Sequence, residues 1–291
     1  MRRAFIAISL LAAALAVTAG ASGKSSAAVA IPGCATDSLK LVSAGTLTVG
    51  TDNPAYGPWF GGGEIKGSKW KINDPATGKG YESAVAYEVA KRLGFAKSEL
   101  KWVAVPFNTS FRPGKKNFDF FVNQVSYTPQ RAKNVTFSAS YYNVNQAVVG
   151  VKGKPIATAR SKADLRGYEL GVQIGTTSYD YIVKNIKPTS KPAVYDTNND
   201  AVTALKNGQI DGIVVDLPTA FYVTAVQVEN GTIVGQFLSV GSQERFGLVF
   251  QKGNSLAGCV NKALTRMRAD GTLKRLQTQW LSKATGARVL Q

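Results

Sequence analysis

Short β-branched or aromatic runs recur along this chain, and segments of helical period fall between them. Thr46–Thr51, Lys101–Val105, Phe118–Val122, Ala147–Lys152, 168–173, 192–195, 210–215 and Phe246–Gln251 read as strands. Tyr81, Val85, Val89 and Leu93 recur at steps of four, with Glu82, Glu88, Lys91 and Arg92 between them and Gly94 behind, which predicts an amphipathic helix. Further helices are expected at 177–186, 199–207, 217–228, 254–269 and 271–282. Strands alternating with helices predict an α/β fold with mostly parallel sheets covered on both faces. The alternation comes in two sets, so two lobes are expected. Residues 35–146 and 247–291 would form the first and 147–246 the second, with 147–152 and 246–251 paired as two crossover strands.

The first thirty residues read differently. Arg2 and Arg3 precede an apolar run from Ala4 to Val17, and Ala19-Gly20-Ala21 follows. Charged, then apolar, then small is the order of a secretory signal peptide, expected over 1–30 with cleavage between about 21 and 33. The run falls short of the roughly 20 apolar residues that a spanning helix needs. The chain is therefore expected to be exported, to the periplasm or the outer face of the cell envelope. In that oxidising setting the two cysteines, Cys34 and Cys259, would pair as a disulfide. The rival is a lipid anchor on Cys34, since Ile31-Pro32-Gly33-Cys34 loosely resembles a lipoprotein cleavage box.

Composition removes whole classes of chemistry. There is no histidine among the 291 residues, which deletes the commonest general base and the commonest transition-metal ligand. Two cysteines and no histidine cannot build a zinc site of the usual type, so neither metal nor cofactor is expected and no catalytic residue is assigned. The formal charge is +17, yet the basic residues are scattered with no run of five, so a solvated basic surface is expected and nucleic acid is not.

The candidate site residues stand at strand ends, where open α/β sheets bind ligands. Asn123 to Arg131 carries a strand end into polar residues, and Thr128 caps a helix that begins at Pro129. Arg131 there offers a planar, permanently charged fork to a carboxylate, or packs its stem on the turn as surface arginines do. Gly175-Thr176-Thr177 opens a helix whose free N–H groups favour an anion, or simply caps it. Asp216 ends a strand before Pro218 and either receives an ammonium or caps the helix. Tyr56 and Trp59 follow the first strand and either stack on a ligand or belong to the core. An arginine, free N–H groups, a lone carboxylate and aromatics together complement a zwitterion.

VGTDNPAYGPWF (49–60), GKGYESAVAYEVAKRLGF (78–95), FDFFVNQVSYTPQRAKNVTFSASYY (118–142), LGVQIGTTSYDYI (170–182), NGQIDGIVVDLPTAF (207–221) and NKALTRMRADGTLKRLQTQWL (261–281) resemble, in order, the family 3 extracellular solute-binding proteins. The resemblance implies a two-lobed periplasmic-binding-protein architecture that captures a polar amino acid for the permease subunits of an ABC importer. It implies that Arg131 grips the ligand carboxylate with Ser126 and Thr177, and that Asp216 holds the α-amino group. Tyr56 and Phe107 would line an aromatic wall, with Asp52, Gln124 and Gly175 nearby. A monomer is expected. The chain departs from the pattern at Ala84, where a second acidic residue is usual, and in the loop after Phe107. The alternatives are a carboxylate-assisted dehydratase on the same scaffold and a ligand-binding sensory module.

Overall fold

The computed structural model describes residues 31–239, 241–281 and 287–291. The leader expected at 1–30 lies outside them. The strands, in chain order, are β1 (Leu47–Thr51), β2 (Leu100–Ala104), β3 (Phe120–Phe121), β4 (Val135–Phe137), β5 (Tyr142–Asn143), β6 (Gln146–Val151), β7 (Leu170–Gln173), β8 (Ala193–Tyr195), β9 (Gly212–Asp216), β10 (Gly231–Phe237), β11 (Arg245–Phe246) and β12 (Val249–Gln251). The α-helices are α1 (Tyr81–Arg92), α2 (Phe107–Ser110), α3 (Pro129–Asn134), α4 (Thr177–Tyr181), α5 (Asn198–Lys206), α6 (Leu217–Tyr222), α7 (Leu256–Ala269) and α8 (Thr272–Leu281).

Two five-stranded sheets carry the fold, in the orders β2-β1-β3-β12-β4 and β10-β6-β9-β7-β8. The first sheet has one apolar face shared with α1, α7 and α8, centred on Val49, Val85, Phe250 and Val260. Its other face buries Phe107, Phe118, Phe121 and Val249. The second sheet likewise buries Ile213, Val215 and Leu205 on one face and Val172, Val214 and Ile182 on the other. Each sheet is thus covered on both sides, as runs of β-branched residues require.

Three expectations are corrected. Neither sheet is mostly parallel: in each, two pairings are parallel and two antiparallel. Strands β4, β5 and β10 are absent from the expected set; Gly231 and Gly235 break the apolar pattern of β10, whose partner is β6. Consequently 147–152 and 246–251 do not pair with each other. The ribbon that crosses between the sheets is shorter and lies upstream, with Tyr142 opposite Phe246 and Asn143 opposite Arg245. Finally, residues 287–291, expected with the first lobe, lie against the second. Val289 bridges to Gln236, and Leu290 is buried beside Val234 and Phe237. Gly235 permits this approach, because a Cβ there would stand 2.5 Å from Leu290 Cγ.

The entry to α1 depends on another glycine. Gly80 has φ +91, and a Cβ on it would lie 2.5 Å from the Phe60 Cα and the Trp59 carbonyl. The helix can therefore start directly on the 59–60 main chain, which accepts the Glu82 N–H at 2.9 Å. This places Glu82 wholly inside the protein. Its Oε1 accepts the Gln124 N–H at 2.6 Å and the Tyr141 hydroxyl. Burial pushes its carboxyl up to about 7.

Cys34 and Cys259 form a disulfide that ties the start of the described chain to α7 across 225 positions. Closing so long a loop removes unfolded-state entropy, and removing native disulfides typically costs about 2–5 kcal/mol. The paired variant C34A/C259A is expected to lose stability in that range in urea melts without moving the fold seen by circular dichroism. A Glu82 carboxyl held above its unfolded pKa of about 4.3 makes the folded state the tighter proton binder. Its contribution is therefore full below that value and declines as pH rises through about 7. Between pH 5 and 7.5 the wild type should lose up to about 3 kcal/mol relative to E82Q, read from paired urea melts.

Candidate functional site

The candidate residues stand at or beyond the C-terminal ends of β1, β2, β3, β7 and β9. Thr128 caps α3 as its side chain accepts the Arg131 N–H at 3.1 Å, with Pro129 at the first helical position. This turns Arg131 back toward the sheet end, where it is 9% exposed. Its Nη1 donates to the Ser126 carbonyl at 2.6 Å, and its Nη2 donates to the Gly175 carbonyl of the second lobe at 2.8 Å. Phe111 covers the guanidinium at 4.5 Å and Phe107 at 5.7 Å. Desolvation lowers its pKa to about 10, against the pull of Glu244, so the charge persists at neutral pH.

From the other side, Gly175 at φ +73 ends the turn after β7 and presents its carbonyl to Arg131. Thr176 caps α4, accepting the Tyr179 N–H at 3.3 Å. Thr177 is left free of the capping role. Asp216 ends β9 and makes no side-chain cap to α6. Antiparallel register places it opposite Gln146 on β6, and Gln146 Nε2 donates to its Oδ1 at 2.7 Å. Desolvation and the nearby Glu244 hold the Asp216 carboxyl well above the usual carboxylate range.

A cavity of about 40 Å³ lies between the lobes, lined by Phe107, Asn123, Gln124, Arg131, Gln173, Thr176, Thr177, Ser178, Asn198, Val215 and Asp216. Six of the expected residues therefore meet around one space: Arg131, Asp216, Thr176, Thr177, Gln124 and Phe107. The others stand behind it. Ser126 is buried and supplies its carbonyl to Arg131. Asp52 accepts the N–H groups of Asn53 and Phe107, and desolvation raises its carboxyl, so it positions Phe107. The Tyr56 hydroxyl faces Thr197 and Asn199 of the second lobe, and burial pushes it up to about 12.

Trp59 is not part of an aromatic wall. It is fully buried, with edge contacts to Tyr81, Tyr142 and Phe246, and so roots the crossing ribbon in the first core. Its indole N–H donates to Thr219 Oγ1 on the second lobe at 2.8 Å, and Thr219 in turn donates to Gln124 Oε1 at 2.9 Å. Gln124 itself sits at φ +54.

Two central residues escaped sequence reasoning. Gln146 is buried in β6, with its amide oxygen accepting from Ser178 Oγ at 2.6 Å. A polar residue opening an otherwise apolar strand was its signal. Glu244, in the return crossing, accepts from Ser126 Oγ at 2.5 Å and Thr177 Oγ1 at 2.6 Å. Nothing in its flanking residues marks it, because its side-chain contacts all come from distant segments. Among the described residues no group of three or more acidic or sulfur side chains could hold a metal ion, and no helix is long and apolar enough to cross a membrane.

Residues 68–283 match the bacterial extracellular solute-binding proteins, family 3. The chain is 28% identical over 244 residues to the L-cystine-binding protein TcyJ of Escherichia coli K12, covering 83% of this chain and 84% of that protein. Among solved structures it resembles an ancestral arginine-binding protein bound to glutamine, with a TM-score of 0.67 and 30% identity over 82% of this chain and 98% of that one. It also resembles the ancestral amino acid-binding protein AncCDT-1, a precursor of cyclohexadienyl dehydratase, with a TM-score of 0.66 and 27% identity over 81% and 95% of the two chains. The family model spans most of the chain, including most of the two sheets and the cavity between them, and the chain belongs to the family 3 bacterial extracellular solute-binding proteins.

Proposed function

We propose that this protein captures a free amino acid between its lobes, outside the cytoplasm, and presents it to the permease subunits of an ABC importer. The observation that carries this reading is the pairing of Arg131 and Asp216, one from each lobe, on a single cavity. An arginine and a carboxylate facing one space complement the two charges of a zwitterion. In this scheme Arg131 receives the ligand carboxylate, helped by the hydroxyls of Ser126 and Thr177, and Asp216 receives the ammonium. Phe107 and Gln124 border the ligand from the first lobe and Thr176 from the second.

The ligand contacts both lobes only when they are together, so it binds the closed arrangement preferentially and shifts the equilibrium toward it. Closing also excludes water, which strengthens each charged contact. Family membership and the names of the relatives support binding rather than catalysis, and support a site outside the cytoplasm. The 1–30 leader would export the chain, which would then work as a monomer with the permease as its membrane contact.

Calorimetric titration against the common amino acids tests the reading, and failure of all of them to bind better than millimolar would remove it. Hydrogen bonds to charged groups contribute roughly 1.5–3 kcal/mol each. With the bonding amino acid in hand, R131A is expected to weaken binding by at least about a hundredfold while the far-ultraviolet spectrum is unchanged. The Asp216 carboxyl must be ionised to hold an ammonium, and its pKa is raised. Affinity should therefore begin to fall, as pH is lowered, well above the roughly 3.9 of an ordinary aspartate, with D216N flattening that dependence.

A further inference from the structure

Glu244 lies one residue before β11, on the segment that returns from the second lobe to the first. Its main chain is held there: the Val144 N–H donates to its carbonyl at 3.0 Å, and its own N–H donates to Ser239 Oγ at 3.0 Å. The side chain reaches into the site between the lobes. Oε1 accepts Ser126 Oγ at 2.5 Å from the first lobe and Thr177 Oγ1 at 2.6 Å from the second. Oε2 accepts Gln146 Nε2 at 3.1 Å, and the same nitrogen donates to Asp216.

A hydroxyl has one hydrogen to donate. The Ser126 and Thr177 hydroxyls are therefore both committed to a carboxylate of the chain itself. They are the same two hydroxyls that a bound amino-acid carboxylate would use. Two carboxylates cannot share those hydrogens, and like charges placed together in a desolvated cleft repel strongly.

We propose that Glu244 is a built-in competitor for the ligand carboxylate: its side chain bridges the lobes at the carboxylate seat, and an amino acid binds by displacing it. The inference rests on the reading of Arg131, Ser126 and Thr177 as that seat. Because the ribbon holds the Glu244 main chain, displacement is a swing of the side chain alone. A second cavity, of about 150 Å³, shares Thr177 with the first and is lined by Glu244, with Lys184, Asn185 and Ser242 on its wall as hydrogen-bond donors. The displaced carboxylate has its new position there. A state in which Glu244 holds the seat excludes ligand, so apparent affinity falls by the fraction of molecules in that state.

The test uses the full chain, stripped of bound small molecules by reversible denaturation, as wild type, E244A and E244Q. Each is titrated calorimetrically with the common amino acids, and its radius of gyration is measured by small-angle scattering without and with the tightest one. E244A is expected to bind about tenfold tighter than wild type or better, and to be more extended without amino acid yet equally compact when saturated. E244Q retains an acceptor oxygen without the charge and should fall between the two, which also serves should E244A fold poorly. Unchanged or weaker binding by E244A would overturn the proposal, placing Glu244 in the ligand's own grip or in a purely structural role. If no amino acid binds any of the three but E244A is still more extended, the amino-acid reading fails and Glu244 remains a bridge between lobes without a ligand to compete with. If neither binding nor dimensions respond, both readings fall.

Discussion

Removing a guanidinium from water costs several kcal/mol unless its donors are met by well-placed acceptors. Arg131 is nearly buried, and its terminal nitrogens are met by main-chain carbonyls, one from Ser126 on its own lobe and one from Gly175 on the other. Much else in the cleft follows from that requirement. The Gly175 turn must bring its carbonyl round, which only a residue tolerant of φ +73 does without strain. Once it does, the first turn of α4 is fixed against the first lobe, and Thr176 and Thr177 arrive at the cavity. Two phenyl rings on the guanidinium face exclude water from the remaining side.

The apolar clusters divide between the two sheets, and the contacts that join the lobes at the cleft are directional and polar. Trp59 to Thr219, Thr219 to Gln124 and Arg131 to Gly175 are hydrogen bonds across the interface, and Glu244 bridges it between Ser126 and Thr177. This matters for motion. An apolar interface of similar extent would hold the lobes shut, since parting it exposes surface to water at about 25 cal/mol per Å². Each hydrogen bond broken on opening is exchanged for one with water, so its net cost is about 1 kcal/mol, and roughly 1.5–3 kcal/mol for those of Arg131 and Glu244. The lobes can therefore part at modest cost while closing with fixed register.

What the residues disclosed in advance were features governed by local rules. The period of α1, the Thr128-Pro129 start of α3 and the ends of β1, β7 and β9 depend on near neighbours in sequence, and so did the position of Arg131, Thr177 and Asp216 each near a strand tip. The crossing ribbon did not follow, because Tyr142 and Phe246 are paired by the docking of whole sheets. Nor did β10, whose glycines hide its alternation, Gly235 giving room to the Leu290 side chain from elsewhere. Trp59 was ambiguous for a related reason: an aromatic after a strand can face outward or inward, and only the position of Tyr142 and Phe246 decides it.

The acidic residue that opens α1 shows how a buried carboxyl shapes the cleft without facing it. The family pattern suggests acids near this position, and here Ala84 replaces the second of them. Glu82 accepts the Gln124 main-chain N–H, and Gln124 is a non-glycine residue in the left-handed region, a conformation costing roughly 1–2 kcal/mol. Two contacts hold it there: Glu82 on its N–H and Thr219 on its side-chain oxygen. Were Gln124 to relax, its side chain would leave Thr219, and Thr219 would lose the acceptor that orients its hydroxyl toward the first lobe. Glu82 thus fixes, through one strained residue, where the start of α6 docks against the first lobe. Because α6 follows Asp216 directly, that docking also sets how far the Asp216 carboxylate stands from Arg131.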